Sequence, residues 1–372
     1  MAEDVVLPDD LTVRAEVLIS TTWACNLKCT YCFIEDAQIS GNGHSMSPEL
    51  AVKVIDALDG GLKDFDCISL HFYGGEPLVN LPAIKSMVDR VEERNLNRFK
   101  FVITTNGVNH SSEAINILKK GNFDIVLSID GPEHVHNQAR RTRDGKPTHN
   151  DVIRFLERIR NETSCRVRGS AVVRSGWSLS EATSYLKTLP VDVIKAQVVR
   201  SATETPYTLN ADENIQYLKD LEQIGEEVID NLKAGRMPLD DRFSNRVLQL
   251  LEGSERTSFC GAGKTTFGIT PDGTVVPCIL MGVEAEKLGH IQDENFSWKK
   301  AGERWKNNYR NTRSACKSCS ALPLCGGGCP VMVPICGENE CDITRKDCEI
   351  ATKIFNTFKN QPEQLLLLAG IR

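Results

Sequence analysis

Apolar and polar residues alternate with two different periods over the first two-thirds of the chain. Short runs rich in apolar and β-branched residues, typical of buried parallel strands, are separated by stretches with a helical period. The predicted strands are Val13–Thr22, Ile68–Tyr73, Phe99–Thr105, Asp124–Ile129, Arg166–Arg174 and Asp192–Arg200. The predicted helices between them are Pro48–Leu62, Leu81–Asn95, Ser112–Lys120, Asn150–Asn161 and Leu179–Leu189.

Strands that alternate with helices predict an α/β fold with a parallel sheet built from right-handed βαβ units. A closed barrel of this kind needs eight strands, so the six strands here favour an open, partial (β/α)6 barrel of the TIM type. A doubly wound open sheet is also compatible with the alternation. The boundary of the first helix is the clearest, because Ser47 is a good N-cap and Pro48 suits the first helical position.

The pattern changes after Arg200. Ala211–Ala234 and Ser244–Glu252 are predicted helices, whereas Cys260 to Cys348 is rich in Cys and Gly and has few long periodic segments. A region without a large apolar core needs another source of stability, and we expect metal clusters to supply it. Ile350–Lys359 is predicted to be a closing helix. The expected domains are a partial barrel over 1–205, a helical bridge over 206–257, a small irregular Cys-rich domain over 258–349 and a C-terminal helix and tail over 350–372.

Composition limits the classes of function. The 372 residues carry 44 Lys and Arg against 50 Asp and Glu, so the net charge of −6 gives no argument for nucleic-acid binding. The longest apolar run, Leu365 to Ile371, is far shorter than the ~18 residues that span a membrane. The N-terminal residues lack the pattern of a secretory signal. We therefore expect a cytoplasmic protein, in which 14 cysteines are better explained as metal ligands or catalytic groups than as disulfides.

The first cysteine group directly follows the first predicted strand. Cys25, Cys29 and Cys32 have the spacing C-x3-C-x2-C. A [4Fe–4S] cluster takes four ligands, so three thiolates would leave one iron open for chemistry. A zinc site completed by a distant His or Cys is the alternative.

Small and polar residues follow the next three strands. These segments are Gly74-Gly75-Glu76, Thr105-Asn106-Gly107 and Ser128-Ile129-Asp130-Gly131. Glycines allow close approach of the backbone to a ligand, and a carboxylate accepts hydrogen bonds from an ammonium group. Each segment alone is compatible with an ordinary turn. Together they place a polar rim at the carboxyl ends of the strands, where α/β enzymes bind their ligands.

These motifs together resemble the radical S-adenosylmethionine (SAM) enzymes. The resemblance implies a partial (β/α)6 barrel in which Cys25, Cys29 and Cys32 hold a [4Fe–4S] cluster, whose open iron is chelated by SAM. It also implies that Tyr31 lies near the adenine and that Gly74, Gly75 and Glu76 bind the methionyl ammonium. Ser128 and Arg168 match positions that contact the ribose or the carboxylate. A salt-bridged structural residue is the alternative for Arg168.

The chemistry is implied by the same resemblance. An electron from the reduced cluster cleaves the sulfonium and yields a 5′-deoxyadenosyl radical, which removes a hydrogen atom from an unactivated C–H bond. The cofactors perform the difficult step, and the protein supplies positioning and exclusion of water.

The second cysteine group is larger. Read by itself, Cys316-x2-Cys319 with two nearby cysteines is compatible with a zinc ribbon. With the radical SAM motifs present, the whole pattern resembles the SPASM extension, which implies two auxiliary [4Fe–4S] clusters and three clusters in all. By this resemblance, Cys316, Cys319, Cys325 and Cys348 hold the distal cluster, and Cys260, Cys278 and Cys329 hold the proximal one. Either the proximal cluster has an open iron, or Cys336 or Cys341 completes it.

The SPASM class modifies ribosomally made peptides and proteins. We therefore expect a radical SAM/SPASM maturase of the oxidoreductase type that installs a thioether or carbon–carbon cross-link in a precursor peptide. The alternative is an anaerobic sulfatase-maturing enzyme, which forms formylglycine. In those enzymes an Asp base follows the cysteine that matches Cys278, whereas Ile279 stands here. A second alternative is a non-enzymatic multi-cluster electron carrier, which would not need the Gly-Gly-Glu motif.

The expected partners are a precursor peptide or protein substrate and a flavodoxin- or ferredoxin-type electron donor. Because only 24 residues precede Cys25, a separate protein or the SPASM surface is expected to recognise the leader. Cys67 and Cys165 are expected to be buried structural thiols, and His134 and His136 to be solvated. His71 is compatible with either a core or a catalytic role. We assign no catalytic base.

Overall fold

The computed structural model describes residues 14–32, 44–201, 205–280, 286–308 and 314–368, without the side chains of 306–308, 314 and 334–339. Within these residues the chain forms two compact units. The first unit falls within 7–168 and 261–310, and the second unit falls within 169–260 and 311–372. The fold is mixed α/β with a parallel sheet, as predicted.

The sheet of the first unit is built from the predicted N-terminal strands. Its strands are β1 (Arg14–Ile19), β2 (Cys67–Phe72), β3 (Phe99–Thr105) and β4 (Asp124–Ser128). They lie in chain order and pair in parallel. Buried residues alternate with half-buried or exposed ones along each strand. One face of the sheet therefore packs into the core while the other remains partly open.

Helices follow these strands as the alternation predicts. They are α1 (Pro48–Gly61), α2 (Leu81–Glu93), α3 (Ser112–Gly121), α4 (Glu133–Ala139) and α5 (His149–Glu162). The side chain of Ser47 accepts a hydrogen bond from the backbone N–H of Leu50, which confirms the predicted N-cap. Fully buried apolar side chains, among them Leu58 and Phe72, form the core between helices and strands.

A segment from the Cys-rich region extends the same sheet. β7 (Thr266–Ile269) pairs in parallel with β1, and β8 (Thr274–Val276) and β9 (Gly289–His290) follow as antiparallel strands. The backbone N–H of Ser20 donates to the carbonyl of Ile269, beyond the end of β1. α9 (Trp298–Asn308) completes the described part of this unit.

The second unit is mostly helical. It contains most of β5 (Val167–Val173), β6 (Val193–Val198), α6 (Leu179–Leu186), α7 (Ala211–Lys233), α8 (Ser244–Leu251), α10 (Leu322–Cys325), α11 (Met332–Phe358) and α12 (Pro362–Leu368). α7 begins at a capping box in which Asn210 and Glu213 each accept a backbone N–H of the other. The predicted domain boundaries stay a prediction, although α11 runs without a break through the one expected between 349 and 350.

Several expectations need correction. The predicted helix Ile350–Lys359 is the second half of the longer helix α11. His136 lies on α4, which was not predicted, and its side chain is fully buried rather than solvated. Cys165 is buried as expected, but Cys67 is only half-buried.

Candidate active site

The carboxylate of Glu76 organises the turn that follows β2. It is 2% exposed and accepts three hydrogen bonds, from Thr105 Oγ1 at 2.7 Å, the backbone N–H of Asn106 at 2.7 Å and the backbone N–H of Leu78 at 3.0 Å. Burial raises the pKa of Glu76, although these donors act in the opposite direction. The carboxylate that was expected to bind an ammonium group is therefore already engaged, and the carbonyl groups of this turn are the better acceptors for such a ligand.

The turn after β2 also supports the start of the cysteine loop, residues 22–32. The backbone N–H of Gly75 donates to the carbonyl of Thr22 at 3.2 Å, and that of Glu76 donates to the carbonyl of Ala24 at 2.9 Å. A Cβ atom at position 75 would lie 2.2 Å from the carbonyl oxygen of Ala24, so only glycine allows this approach. Gly74 has a φ of +126°, which also favours glycine.

Two other segments hold the same loop. Beyond β3, the amide of Asn106 donates to Oδ1 of Asn26 at 2.8 Å. On the other side, the backbone N–H of Lys28 donates to the carbonyl of Arg141 at 2.8 Å. The cysteine loop is therefore fixed by segments that follow β2, β3 and β4, as the rim of strand ends predicts.

The three thiols of the loop fit a metal cluster. Cys25, Cys29 and Cys32 are all half-buried. Burial raises the pKa of Cys25 to about 12, so its thiolate would be unfavourable without a cation to stabilise it. The backbone N–H of Leu27 points to the sulfur of Cys25 at 3.4 Å, as in hydrogen bonds to cluster sulfurs. These three residues would hold a [4Fe–4S] cluster.

A buried ion pair adjoins the loop and was missed by sequence reasoning. Nε of Arg140 donates to Oδ1 of Asp130 at 3.1 Å, and the phenol of Tyr31 donates to the other carboxylate oxygen. The guanidinium of Arg140 also lies over the ring of Tyr31, 5.5 Å from its centroid. Of these residues, Tyr31 was predicted for this site and Asp130 was placed on its polar rim, whereas Arg140 was not predicted.

The remaining predicted SAM contacts lie on the sheet. Ser128 is the last residue of β4 and Arg168 the second residue of β5, and both are half-buried between buried neighbours. Their roles remain predictions.

His71 lies on the partly open face of β2. Its Nε2 is 2.8 Å from Oγ1 of Thr104, and its Nδ1 is 3.4 Å from Oε1 of Glu16. The ring is therefore oriented from both sides by polar partners, which distinguishes it from an apolar core residue.

The second cysteine group contains a backbone arrangement suited to a thiolate. Gly326, Gly327 and Gly328, directly after Cys325, all have positive φ values, of +68°, +100° and +85°. Burial raises the pKa of Cys325, while the backbone N–H groups of Gly327 and Gly328 donate to its sulfur and act in the opposite direction. Successive N–H groups that converge in this way form a nest of the kind found at iron–sulfur sites.

Four cysteines of the second unit line one cavity: Cys316, Cys319, Cys325 and Cys341. Cys341 thus lies with three thiols of the predicted distal set rather than apart from them. Cys348 is 3% exposed and lies near Cys325, and Arg246 donates a hydrogen bond to its sulfur. The structure therefore places five thiols around this region, one more than a single cluster needs.

The predicted proximal ligands are distributed between the units. Cys260 and Cys329 belong to the second unit and Cys278 to the first. The side chain of Cys336 lies outside the described residues. Ile279, at the position of the expected base, is apolar and 2% exposed.

The described residues contain no grouped site for a single metal ion and no membrane-spanning helix. In this part of the chain no three His, Cys, Asp or Glu side chains are grouped so that they could hold a single metal ion. No described helix is both long and apolar enough to cross a membrane.

Comparisons with known proteins agree with this geometry. The family model of the radical SAM superfamily matches residues 19–189, and the SPASM model, an iron–sulfur cluster-binding domain, matches residues 260–321. A cysteine-type anaerobic sulfatase-maturating enzyme from Clostridium perfringens (strain 13 / Type A) is 26% identical over 329 residues, which are 82% of this chain and 85% of the relative. The sporulation killing factor maturation protein SkfB from Bacillus subtilis (strain 168) is 25% identical over 306 residues, 75% of this chain and 63% of the relative.

A solved structure has the same fold. Native anSMEcpe with bound AdoMet and Kp18Cys peptide superposes with a TM-score of 0.76, and the match covers 93% of this chain and 99% of that chain. The two sequences are 22% identical, so this likeness bears on the fold alone.

Proposed function

The chain is a radical SAM protein that carries a SPASM domain, and from this premise we propose that it oxidises a side chain of a peptide or protein substrate by radical chemistry. The observation that carries the proposal is that the loop with three thiols is held against the Gly74–Glu76 turn. SAM bound at the open ligand position of a cluster needs a neighbouring acceptor for its ammonium group, and this turn would supply one. When bound, the reduced cluster and SAM supply the 5′-deoxyadenosyl radical.

The residues of the chain have separate tasks in this proposal. Cys25, Cys29 and Cys32 would hold the cluster. Glu76 keeps the turn rigid through its three hydrogen bonds, so that the carbonyl groups of the turn are presented to the ammonium group. Tyr31, fixed by Asp130, would lie beside the adenine. The half-buried Ser128 and Arg168 would contact the ribose or the carboxylate.

The comparisons favour one kind of modification over the cross-link expected from the sequence. The relatives that match most of this chain include a cysteine-type anaerobic sulfatase-maturating enzyme. We therefore give first place to oxidation of a cysteine or serine side chain to an aldehyde, as in formylglycine. Such an oxidation removes two electrons and two protons. The 5′-deoxyadenosyl radical would take one hydrogen atom, and the second electron would pass to an auxiliary cluster and the second proton to a base. From a cysteine side chain the first product would be a thioaldehyde, and its hydrolysis by water would release hydrogen sulfide and leave the aldehyde.

One observation keeps the cross-link as a second candidate. Ile279 is apolar and buried, so it cannot take a proton from the substrate. An aldehyde-forming reaction in this chain needs another base, and His71, oriented by Glu16 and Thr104, is a suitable residue. A thioether-forming reaction could instead use an open iron of the proximal cluster to bind a substrate thiolate. For aldehyde formation and for thioether formation alike, we propose three [4Fe–4S] clusters and an electron donor of the flavodoxin or ferredoxin type.

The test has two stages. The anaerobically reconstituted protein with dithionite is expected to convert SAM to 5′-deoxyadenosine, and replacement of Cys25, Cys29 and Cys32 by Ala is expected to abolish this. The matched control is Cys67→Ala, a half-buried thiol that belongs to neither cysteine group. Intact SAM in the unsubstituted protein would overturn the proposal.

The second stage distinguishes the modifications. A cysteine-containing sulfatase peptide is incubated with the protein and SAM, and the product is treated with an aminooxy probe before mass spectrometry. Capture by the probe indicates an aldehyde. A product that has lost hydrogen atoms but does not react with the probe indicates a cross-link, and contradicts the first candidate.

A further inference from the structure

Arg140 is a buried cation that no sequence motif singled out. Arg140 is 9% exposed, and its carboxylate partner Asp130 is fully buried. A buried charge is costly unless it is paired and hydrogen-bonded. The position of this pair next to the cysteine loop is therefore expected to serve a purpose other than stability.

The backbone register places Arg140 opposite Cys29. Leu27 forms an antiparallel bridge with Thr142, and the backbone N–H of Thr30 donates to the carbonyl of Ala139 at 3.1 Å. In an antiparallel pairing, a step of two residues forward on one segment matches a step of two residues back on the other. The bridge between Leu27 and Thr142 therefore places Cys29 opposite Arg140. Side chains directly opposite each other in such a ladder point to the same side.

Two groups hold the guanidinium in this position, and a third holds the backbone of Arg140. Asp130 accepts from its Nε at 3.1 Å, and the ring of Tyr31 lies beneath it. From behind, Thr148 Oγ1 donates to the carbonyl of Arg140 at 2.7 Å.

His136 completes this support. Its Nδ1 accepts the backbone N–H of Asp130 at 3.4 Å, so its Nε2 carries the proton and donates to Oγ1 of Thr148 at 3.1 Å. The fully buried ring thus links both members of the ion pair. Arg140 has little freedom to move away from the loop.

The charge is permanent. An arginine guanidinium does not lose its proton in proteins, and the carboxylate of Asp130 lies beside it as its counterion.

We propose that Arg140 is a positioning residue that holds the Cys29 side of the cluster-binding loop and, through its fixed positive charge, raises the reduction potential of the cluster bound there. This inference rests on the proposed radical SAM function. Reduction adds a negative charge to the cluster, so a nearby cation favours the reduced form. Asp130 has the opposite charge and moderates this effect.

Two substitutions give opposite predictions. Arg140→Met removes the cation and is expected to shift the potential to more negative values, so that a several-fold smaller fraction of the cluster is reduced at a fixed potential. Asp130→Asn removes the anion with little change in shape and is expected to shift the potential to more positive values. Arg140→Lys retains the charge and is expected to restore most of the unsubstituted value.

The measurement is a potentiometric titration of the full, reconstituted chain, following the electron paramagnetic resonance signal that changes when SAM is added. The matched control is Arg154→Met, because the side chain of Arg154 is exposed on α5 and its ion-pair partner is Asp151 of the same helix. Its potential is expected to equal that of the unsubstituted protein.

If Arg140→Met and Asp130→Asn both leave the potential unchanged, or both shift it in the same direction, the inference is overturned. If Arg140→Met does not retain the cluster, the Asp130→Asn and Arg140→Lys titrations decide. Failure of the proposed function is seen separately, as absence of 5′-deoxyadenosine from the unsubstituted protein.

Discussion

Glu76 shows how one side chain determines the geometry of the rim. Its carboxylate satisfies the hydroxyl of Thr105 and two backbone N–H groups that would otherwise be buried without acceptors. Leaving a buried donor unsatisfied costs about 1–3 kcal/mol, and more where a charged acceptor is lost. The residue therefore contributes to the shape of the turn, and under the proposed function the neighbouring backbone carbonyl groups would bind the ammonium group.

Substitution of Gly75 tests how closely this turn approaches the cysteine loop. In Gly75→Ala the new Cβ would lie 2.2 Å from the carbonyl oxygen of Ala24 and 2.7 Å from backbone atoms of Trp23. Because backbone atoms cannot rotate away, the loop must shift, and we expect a loss of iron from the N-terminal cluster. Iron analysis and thermal unfolding of the reconstituted protein measure the effect.

The control for this substitution is Gly60→Ala on α1, where a Cβ would have no heavy atom within 4 Å. Alanine is favoured over glycine inside a helix, so this variant is expected to keep its iron and be as stable as the parent or slightly more so. Equal iron contents in Gly75→Ala and Gly60→Ala would show that the turn does not fix the cluster loop.

At the scale of residues, the sequence predicted the groups that directly follow strands. Cys25, Gly75 and Glu76 were found because parallel strands bring their carboxyl ends to one edge. Asp130 was placed on the polar rim, but its pairing with Arg140 was not found, because ten residues and an unpredicted helix separate the two and Arg140 forms no part of a local motif. The buried His136 was misjudged for the same reason.

At the scale of elements, helices with a clear apolar period were predicted to within a few residues. α4 has the sequence EHVHNQA, in which only Val135 and Ala139 form an apolar pair one turn apart, so its helical pattern is too weak to detect. α11 begins in a segment rich in Cys, Pro and Gly, which favours an irregular prediction. In both cases tertiary contacts outweigh the local preference for loops.

A network of ion pairs joins α1 to α2. Arg90 donates two hydrogen bonds to the carboxylate of Asp56, at 2.9 and 3.0 Å, and Arg94 donates a third at 2.9 Å. Burial alone would raise the pKa of Asp56, but these arginines outweigh it and lower the pKa below the ordinary value of 3.8. The ionised carboxylate therefore stabilises the folded state.

The stabilisation by Asp56 is predicted to depend on pH. It is present above the ordinary pKa and is lost as the pH falls through the lowered pKa of the folded state. Because the carboxylate is 38% exposed, solvent screening limits the effect, and Asp56→Asn is expected to cost about 0.5–1 kcal/mol at neutral pH.

Urea unfolding at several pH values measures the difference in the free energy of unfolding between the unsubstituted protein and Asp56→Asn. It should shrink progressively below about pH 4, whereas Asp64→Asn in the exposed turn after α1 should have little effect at any pH. A cost for Asp56→Asn that stays constant down to pH 2 would argue against the ion pairs as its cause.

At the scale of the whole molecule, buried or half-buried arginines accompany both described cysteine groups. Arg140 lies opposite Cys29, and Arg246 donates to the sulfur of Cys348. Burial lowers the pKa of Arg256, while Cys348, Cys325 and Cys260 act in the opposite direction. Thiolates that bind clusters carry negative charge into half-buried surroundings, and nearby cations reduce that cost. Cysteine spacing predicted the thiol groups, but the cations come from distant parts of the chain and required the structure.

Cys348 and Cys341 are the two candidates for the fourth ligand of the proposed distal cluster. Both lie on α11, seven residues and thus about two turns apart, so they are near one face of the helix. Burial raises the pKa of Cys348, while Arg246 acts in the opposite direction and favours its thiolate. Cys341 lines the cavity of the other three thiols, and Arg345, which lines the same cavity, interacts electrostatically with it.

We expect Cys348 to be the ligand, since the half-buried cation Arg246, hydrogen-bonded to its sulfur, stabilises the thiolate that a cluster requires. The unsubstituted protein should contain about twelve irons per chain if it holds three [4Fe–4S] clusters, and Cys348→Ala should contain about eight. Cys341→Ala is the matched variant and should retain about twelve. Loss of iron from Cys341→Ala but not from Cys348→Ala would instead assign the ligand to Cys341, and loss from neither would mean that either thiol can complete the cluster.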